Sequence, residues 1–164
     1  MQRKQLHQPD VTQELLEGAP LEDYLPYQLF RIVNRLTLNL KNDLRPGRMT
    51  LARWRTLAVL NASNGRSIGE LALCMVIEPP ALSRIISQME RDGLVSRKIA
   101  ENDNRVVRVY LTSEGRRTFK KIRPLELNHY SQLIDGLKDN ELQQLEKLLH
   151  KLGNNIDRIG SGTA

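Results

Sequence analysis

The stretch ALSRIISQMERDGLVSRK, residues 81–98, predicts a helix, a sharp stop and the first residues of a strand. On a helix that turns by about 100° per residue, its aliphatic side chains share one side and its short polar and basic side chains share the other. Gly93 suits the left-handed conformation that often ends a helix, and Leu94 can fold back onto the last turn. We therefore expect an amphipathic helix over about 79–91. Its buried side should comprise Leu82, Ile85, Ile86 and Met89.

A second helix is predicted just before this one. The sequence SIGE, residues 67–70, has the pattern of a capping box, in which the Ser67 hydroxyl accepts from the Glu70 amide and the Glu70 carboxylate accepts from the Ser67 amide. This helix should end near Met75. Pro79 suits the first position of the next helix, because no amide donor is needed there. Two helices joined by so short a link predict a helix-turn-helix.

The residues after Gly93 predict a β-hairpin. LVSRKI and RVVRVYLT are strand-like, and the polar tip AENDN separates them. Asp103 lies two residues before Arg105, so its carboxylate could hold the guanidinium by a charge-assisted hydrogen bond and aim it at a DNA minor groove. The alternative is a plain turn at Asp103 and Asn104 with a solvated Arg105.

Helical patterns flank this motif on both sides. Aliphatic residues recur at three- and four-residue spacing over about 24–44, Thr50 can cap the next helix, and Thr112 can cap a basic helix after the hairpin. A last helix after Asp139 carries an apolar stripe. Its length and its position after the hairpin favour a subunit interface over an intramolecular core. The expected interface residues are Leu142, Leu145, Leu148, Leu149, Leu152 and Ile156.

Composition indicates a soluble globular chain with an acidic partner. The 164 residues are 40% hydrophobic and 27% charged, which suits one compact domain with helical extensions. The formal net charge is +6, and residues 105–123 hold seven basic residues against one acid. No apolar stretch is long enough to span a bilayer and no signal peptide is evident, so we expect a cytoplasmic protein.

Catalysis and metal binding are not expected. The single cysteine, Cys74, excludes an internal disulfide, and the three histidines lie far apart, so neither a metal site nor a cofactor is predicted. No cluster of nucleophile, base and acid is found, nor a phosphate-binding glycine-rich loop, so the chain is not expected to be an enzyme. Cys74 could sense oxidants, but an inert, partly buried thiol is favoured. Exposed helix positions account for His129 and His150.

Four sequence segments together resemble the MarR family of bacterial winged-helix transcriptional regulators. They are WRTL (54–57), SIGELA (67–72), ALSRIISQMERDGLVSRK (81–98) and DNRVVRVYLTSEG (103–115). The resemblance implies a mainly α (α+β) fold: a winged helix-turn-helix DNA-binding lobe, with N- and C-terminal helices forming a dimerisation region. The expected divisions are a flexible N-terminal arm at 1–20, an N-terminal dimerisation helix at 21–48, the DNA-binding lobe at 49–115 and C-terminal dimerisation helices at 116–160.

The resemblance also implies how the lobe binds double-stranded DNA. A recognition helix over about 79–91 would enter the major groove, and Arg105, oriented by Asp103, would enter the minor groove. Pro79 and Pro80 depart from the small polar residues often found at the helix start, and remove two backbone donors that could capture phosphate. The expected DNA-binding residues are Ser67, Pro80, Ala81, Ser83, Arg84, Ser87, Gln88, Arg97, Lys98, Asp103, Asn104, Arg105 and Arg108.

Regulators of this family commonly respond to small aromatic or anionic effectors. Tyr24, Tyr27, Arg31 and Trp54 could line an effector cavity, or could equally be packing residues. The predicted function is therefore a sequence-specific regulator of transcription, a ligand-responsive repressor that binds a pseudo-palindromic operator as a homodimer. The alternative is a winged-helix module for protein–protein contacts without specific DNA binding.

Overall fold

A computed structural model of the protein describes residues 20–47, 49–100 and 103–161. The predicted arm, apart from Pro20, and the hairpin-tip residues 101 and 102 lie outside these ranges. The described chain is mainly helical with one small sheet, as expected. Its helices are α1 (Leu25–Leu44), α2 (Leu51–Ala62), α3 (Ile68–Met75), α4 (Pro79–Arg91), α5 (Ser113–Ile134) and α6 (Asp139–Ser161). Its strands are β1 (Arg66–Ser67), β2 (Val95–Ala100) and β3 (Asp103–Leu111), and short 3₁₀ turns occupy Leu21–Asp23 and Arg45–Gly47.

The sheet is antiparallel, with strand order β1-β3-β2. The predicted hairpin is confirmed as β2 and β3, which pair from Val95 opposite Leu111 to Ile99 opposite Val107. The register then jumps, so that Ala100 lies opposite Asp103. Residues 104–106 therefore form an irregular part of the β2–β3 hairpin, which is called the wing below. The two-residue strand β1, which the sequence did not predict, pairs with the other edge of β3.

The core of the N-terminal part is built from α2, α3, α4 and the sheet. Trp54 of α2 is buried and stacks on Phe119 of α5, with ring centroids 5.2 Å apart. Full burial of a Val, Leu, Ile, Phe or Met side chain stabilises a fold by roughly 1.5–3 kcal/mol relative to full exposure. The largest fully buried hydrophobic side chains are Leu57, Leu60, Leu71, Leu82, Ile86, Met89, Val95 and Val109.

The sequence LTSEG joins the hairpin to α5. The Thr112 hydroxyl donates to the Gly93 carbonyl oxygen at 2.6 Å and accepts from the Gly115 amide at 3.0 Å. It thus caps α5 and ties it to the end of α4. A Cβ atom on Gly115 would lie 2.0 Å from the Leu94 carbonyl oxygen. Glycine is therefore required for this close approach of helix and backbone.

The chain divides into two compact units at Ile122/Arg123. The second unit contains the end of α5 and all of α6, joined by a turn in which Gly136 has φ +82°. Five residues of the predicted stripe of α6 are 36–67% exposed among the described residues: Leu145, Leu148, Leu149, Leu152 and Ile156. Leu142 is half-buried.

Two predictions of exposure were wrong. His129 is buried, not exposed, while His150 is exposed as expected. Cys74 is exposed rather than partly buried. The side of α3 that faces the core carries Leu71, Ala72 and Met75. None of the described helices combines the length and the apolarity of a membrane span.

Candidate nucleic-acid interface

The two predicted sides of α4 are confirmed by burial. Leu82, Ile86 and Met89 are fully buried, and Ile85 is half-buried. On the other side, four of the six expected contact residues are exposed and the two serines are half-buried. Pro80, Ala81, Arg84 and Gln88 are exposed, whereas Ser83 and Ser87 are partly covered. The helix therefore offers a face with the cation Arg84 near its middle, one amide and small side chains, which is suited to close approach to a groove.

The turn before α4 has a left-handed residue. Val76 follows α3 with φ +52° and ψ +51°, and its side chain is 92% exposed. A β-branched residue is uncommon in this conformation, because its Cβ crowds the backbone. The turn holds α3 and α4 only three residues apart, as predicted for a helix-turn-helix.

An ion pair connects α4 to the wing. The Glu90 carboxylate accepts from the Arg97 backbone amide at 3.0 Å and from Arg97 Nε at 2.7 Å. A longer contact of 3.4 Å joins the Arg97 guanidinium to the Ser87 hydroxyl, which itself donates to the Ser83 carbonyl oxygen. Arg97 was expected to contact DNA. In the structure its guanidinium pairs with Glu90 and so connects β2 to α4.

This pairing changes the acidity of Glu90. Side-chain hydrogen bonding from Arg97 is the largest cause that lowers the pKa of Glu90 below its ordinary value of 4.5, and the Arg97 amide adds to it. The carboxylate is therefore the form that the folded protein stabilises. Its charge neutralises Arg97 and fixes the direction of the guanidinium.

A second network connects α3 to β3. The predicted capping box is present: the Ser67 amide donates to Glu70 Oε2 at 2.6 Å, and the Glu70 amide donates to the Ser67 hydroxyl at 3.2 Å. These bonds, with the backbone bond first, lower the pKa of Glu70. Arg108 donates to the Gly65 carbonyl oxygen at 2.8 Å and lies 3.9 Å from the Glu70 carboxylate. Both Ser67 and Arg108 are thus engaged in holding β1, α3 and β3 together.

Cations of the wing remain at the surface. Lys98 is exposed and its ammonium lies 5.6 Å from the centroid of the Tyr110 ring. Arg105 is exposed in the irregular part of β3. The hypothesis that Asp103 orients Arg105 falls on side chains outside the described ones, as does the role of Asn104.

The four candidate effector residues lie at two places in the sequence of elements, Tyr24, Tyr27 and Arg31 at α1 and Trp54 on α2. Trp54 is buried against Phe119, which is a packing role. On α1, the Arg31 guanidinium lies 5.7 Å from the Tyr27 ring centroid, and Tyr24 is exposed. A cavity of about 730 Å³ lies elsewhere, between the end of α1 and the start of α2. Its lining residues are Leu38, Lys41, Asn42, Arg45, Met49, Thr50, Leu51 and Ala52.

Sequence reasoning missed the residues that position this interface. Glu90 pairs with Arg97, and Arg53 of α2 forms an ion pair with Asp92 at the end of α4. For the first pair, the sequence offered one signal: an acid, Glu90, lies shortly before Gly93 and a base, Arg97, lies shortly after it. No local pattern indicates the second pair, whose partners are 39 residues apart. Among the described side chains, no group of three histidines, cysteines or carboxylates could hold a metal ion.

Comparison with known proteins gives concordant matches. The model of the MarR family matches residues 49–107. The HTH-type transcriptional repressor IacR of Pseudomonas putida is 26% identical over 138 residues, which cover 84% of this chain and 83% of that protein.

Solved structures extend the match beyond the winged-helix lobe. A MarR family transcriptional regulator from Silicibacter pomeroyi is 34% identical, with a TM-score of 0.78 over 84% of this chain and 92% of that one. The transcriptional repressor CouR, bound to a 23-mer DNA duplex, is 26% identical, with a TM-score of 0.70 over 85% of this chain and 95% of that one.

Proposed function

Because the chain belongs to the MarR family of transcriptional regulators, which are not enzymes, we propose that it is a ligand-responsive repressor that binds a pseudo-palindromic operator as a homodimer. The proposal places it in the cytoplasm, where a bacterial regulator meets chromosomal DNA. Support for the repressor role comes from the likeness to IacR, and support for duplex DNA as the ligand comes from the likeness to DNA-bound CouR.

The observation that carries the proposal is the exposed face of α4. Arg84 and Gln88 project from it among small side chains, and the helix is held to the wing by the Glu90–Arg97 ion pair. In the major groove, Arg is the usual reader of guanine and Gln of adenine. A rigid connection between α4 and β2 fixes the spacing between a helix in the major groove and a hairpin beside it.

The wing supplies the cations for the neighbouring minor groove. Arg105 is exposed in the irregular part of β3, and Lys98 is exposed on β2. A guanidinium inserted in a narrow minor groove meets enhanced negative potential. We therefore assign insertion to Arg105, with Asp103 as its orienting partner. The remaining polar residues have two roles in this proposal: they hold the wing and the helices in place, and the parts of their side chains that reach solvent contact DNA phosphates. These residues are Ser67, Arg97 and Arg108.

A second copy of the chain is the proposed cover for α6. Five of the six predicted interface residues are exposed, and an apolar stripe of this length is costly in water. Leu25, Ile32 and Val33 of α1 are exposed as well, so the N-terminal helix is also available to a partner subunit. A two-fold dimer would present two recognition helices to half-sites about one helical turn apart.

The effector proposal rests on a cavity with positive charge. Lys41 and Arg45 are among its lining residues, and so is the buried, apolar Met49. A small aromatic or anionic molecule suits such a lining, since an apolar cavity with a few polar groups is the usual form of a ligand site. Tyr24, Tyr27 and Arg31 remain a second candidate site on α1.

The test is a map of genomic fragments bound by the purified protein, followed by footprinting and a titration at fixed salt. We expect protection of a two-fold symmetric site and a Kd of about 10⁻⁸ to 10⁻¹¹ M, which is typical of specific regulators. Arg84→Ala should weaken operator binding by about 1–3 kcal/mol. Arg55→Ala, which removes the same charge from the exposed side of α2, is the matched control.

Three outcomes of this test would contradict the proposal or a part of it. Affinity that stays near the non-specific level on every fragment would favour the alternative, a winged-helix module for protein contacts. Equal losses for Arg84→Ala and Arg55→Ala would show that charge, and not the face of α4, determines binding. Repeating the map with aromatic acids present tests the effector: no change in any bound fragment would argue against ligand response.

A further inference from the structure

The first turn of α4 is poorly suited to phosphate. Its first two residues, Pro79 and Pro80, have no amide hydrogen, and the Leu82 amide is used in a 3.0 Å bond to the Glu78 carbonyl oxygen. Glu78 precedes the helix, makes no side-chain capping bond and is exposed. Helix N-termini bind phosphate through free amides and a positive dipole. Here fewer amides are free, and the negative charge of the Glu78 carboxylate offsets the positive potential at the start of the helix.

The same turn offers apolar surface on the face of the helix that carries Arg84. Pro80 and Ala81 are exposed, and they precede Arg84 by four and three residues, which places all three side chains on one face. Neither Pro80 nor Ala81 has a polar side-chain atom. Pressed against a base edge that donates or accepts a hydrogen bond, they would leave that group unsatisfied, at a cost.

We propose, relying on the DNA-binding role proposed above, that Pro80 and Ala81 determine sequence specificity by packing against the C5-methyl groups of thymines in the major groove. The thymine methyl is the apolar group among the major-groove base edges. Three or four helical residues span about 4.5–6 Å, and successive base pairs are about 3.4 Å apart. The thymines that are read should therefore lie within about two base pairs of the base contacted by Arg84.

The experiment replaces thymines of the footprinted operator by deoxyuridine, one symmetric pair at a time. This change removes the C5-methyl group and leaves the base pair and the phosphates unaltered. At one or two pairs, we expect binding to weaken by about fourfold for each methyl lost, the fold-change that corresponds to about 0.8 kcal/mol for one buried methyl-sized group. Loss of both methyls of a pair should then weaken binding by about sixteenfold, while the remaining pairs should show no change.

Two variants assign the effect to residues. Pro80→Ser and Ala81→Ser introduce serine, a residue that is well tolerated at helix starts. Circular dichroism checks that each variant folds. In one or both, the ratio of the deoxyuridine Kd to the thymine Kd should fall towards one. Glu78→Gln is the control: it should raise affinity for all duplexes alike, since a charge is lost, and should leave that ratio unchanged.

The outcomes separate this inference from the proposed function. A specific operator that binds equally well with deoxyuridine at every thymine overturns the inference and leaves the proposed function standing. A deoxyuridine effect of unchanged size in both serine variants also overturns it, because another residue must then contact the methyl. The absence of any specific fragment overturns both proposals.

Discussion

The winged-helix lobe and helix α6 use the same residue types in opposite ways. In the lobe, leucines such as Leu57, Leu60 and Leu71 have no exposed surface. On α6, leucines at regular helical spacing are about half exposed. The lobe therefore carries its own core, whereas α6 carries an exposed apolar stripe that we propose a second copy of the chain covers.

This difference separates the stability of one folded chain from the stability of an association between chains. A leucine buried within one chain contributes to folding at any protein concentration. A leucine buried between two chains contributes only when the chains associate, so its effect depends on concentration. The same substitution made in the two regions should therefore produce results that differ in kind.

The largest expected effect is on the lobe. Leu57→Ala should lower the free energy of unfolding by about 2–5 kcal/mol, because it leaves a cavity in a fully buried site. Chemical denaturation at two protein concentrations measures this loss. Leu148→Ala is the matched truncation on α6, and its effect should grow smaller as the protein is diluted. Equal, concentration-independent losses for both variants would contradict the distinction between the two regions.

The next effect is on association. Leu148→Glu places a carboxylate in the proposed subunit interface and should weaken the dimer by about 3 kcal/mol, or roughly a hundredfold in Kd. Sedimentation equilibrium measures the change, and Lys147→Glu introduces the same carboxylate one position away as a control. A stable, fully soluble dimer of Leu148→Glu would refute the assignment of this stripe.

Local signals in the sequence predicted most of the lobe. The capping box at Ser67 and Glu70, the stop at Gly93 and the cap at Thr112 each depend on residues within four positions. The structure confirms all three, with Gly93 at φ +70°. The two sides of α4 followed from helical periodicity alone.

Features that depend on distant contacts could not be predicted in this way. Strand β1 exists because Arg66 and Ser67 pair with residues more than 40 positions later, and two residues are too short for a periodic signal. The burial of His129 and the cavity beside Met49 depend on how separate elements pack. Arg97 was expected to contact DNA because it is basic and lies on the wing, but its pairing with Glu90 was not anticipated.

The wing provides a smaller, functional contrast with the core. Arg105→Ala should leave the free energy of unfolding nearly unchanged, because the side chain is exposed, and should weaken operator binding by about 1–3 kcal/mol. A titration at fixed salt measures the loss, with Arg55→Ala as the control for charge. An Arg105→Ala protein that binds its operator as tightly as the original would exclude insertion of this side chain into the minor groove.

The smallest expected effect concerns the ion pair that joins the recognition helix to the wing. Since Arg97 lowers the pKa of Glu90 in the folded protein below 4.5, the charged carboxylate adds stability above the pKa of the unfolded chain, and this stability is lost as pH falls through the folded pKa. Glu90→Gln should therefore unfold more easily at neutral pH and lose less stability than the original chain below about pH 4.5. The capping-box carboxylate of Glu70 should retain its own acid sensitivity in that variant. Arg97→Gln should reproduce part of the change, because it keeps the backbone amide bond to Glu90. The double variant should lose less stability than the sum of the two single variants, because both substitutions remove the same side-chain ion pair. Strictly additive losses would mean that the side chains of Glu90 and Arg97 act separately, so that their ion pair does not hold the helix to the wing.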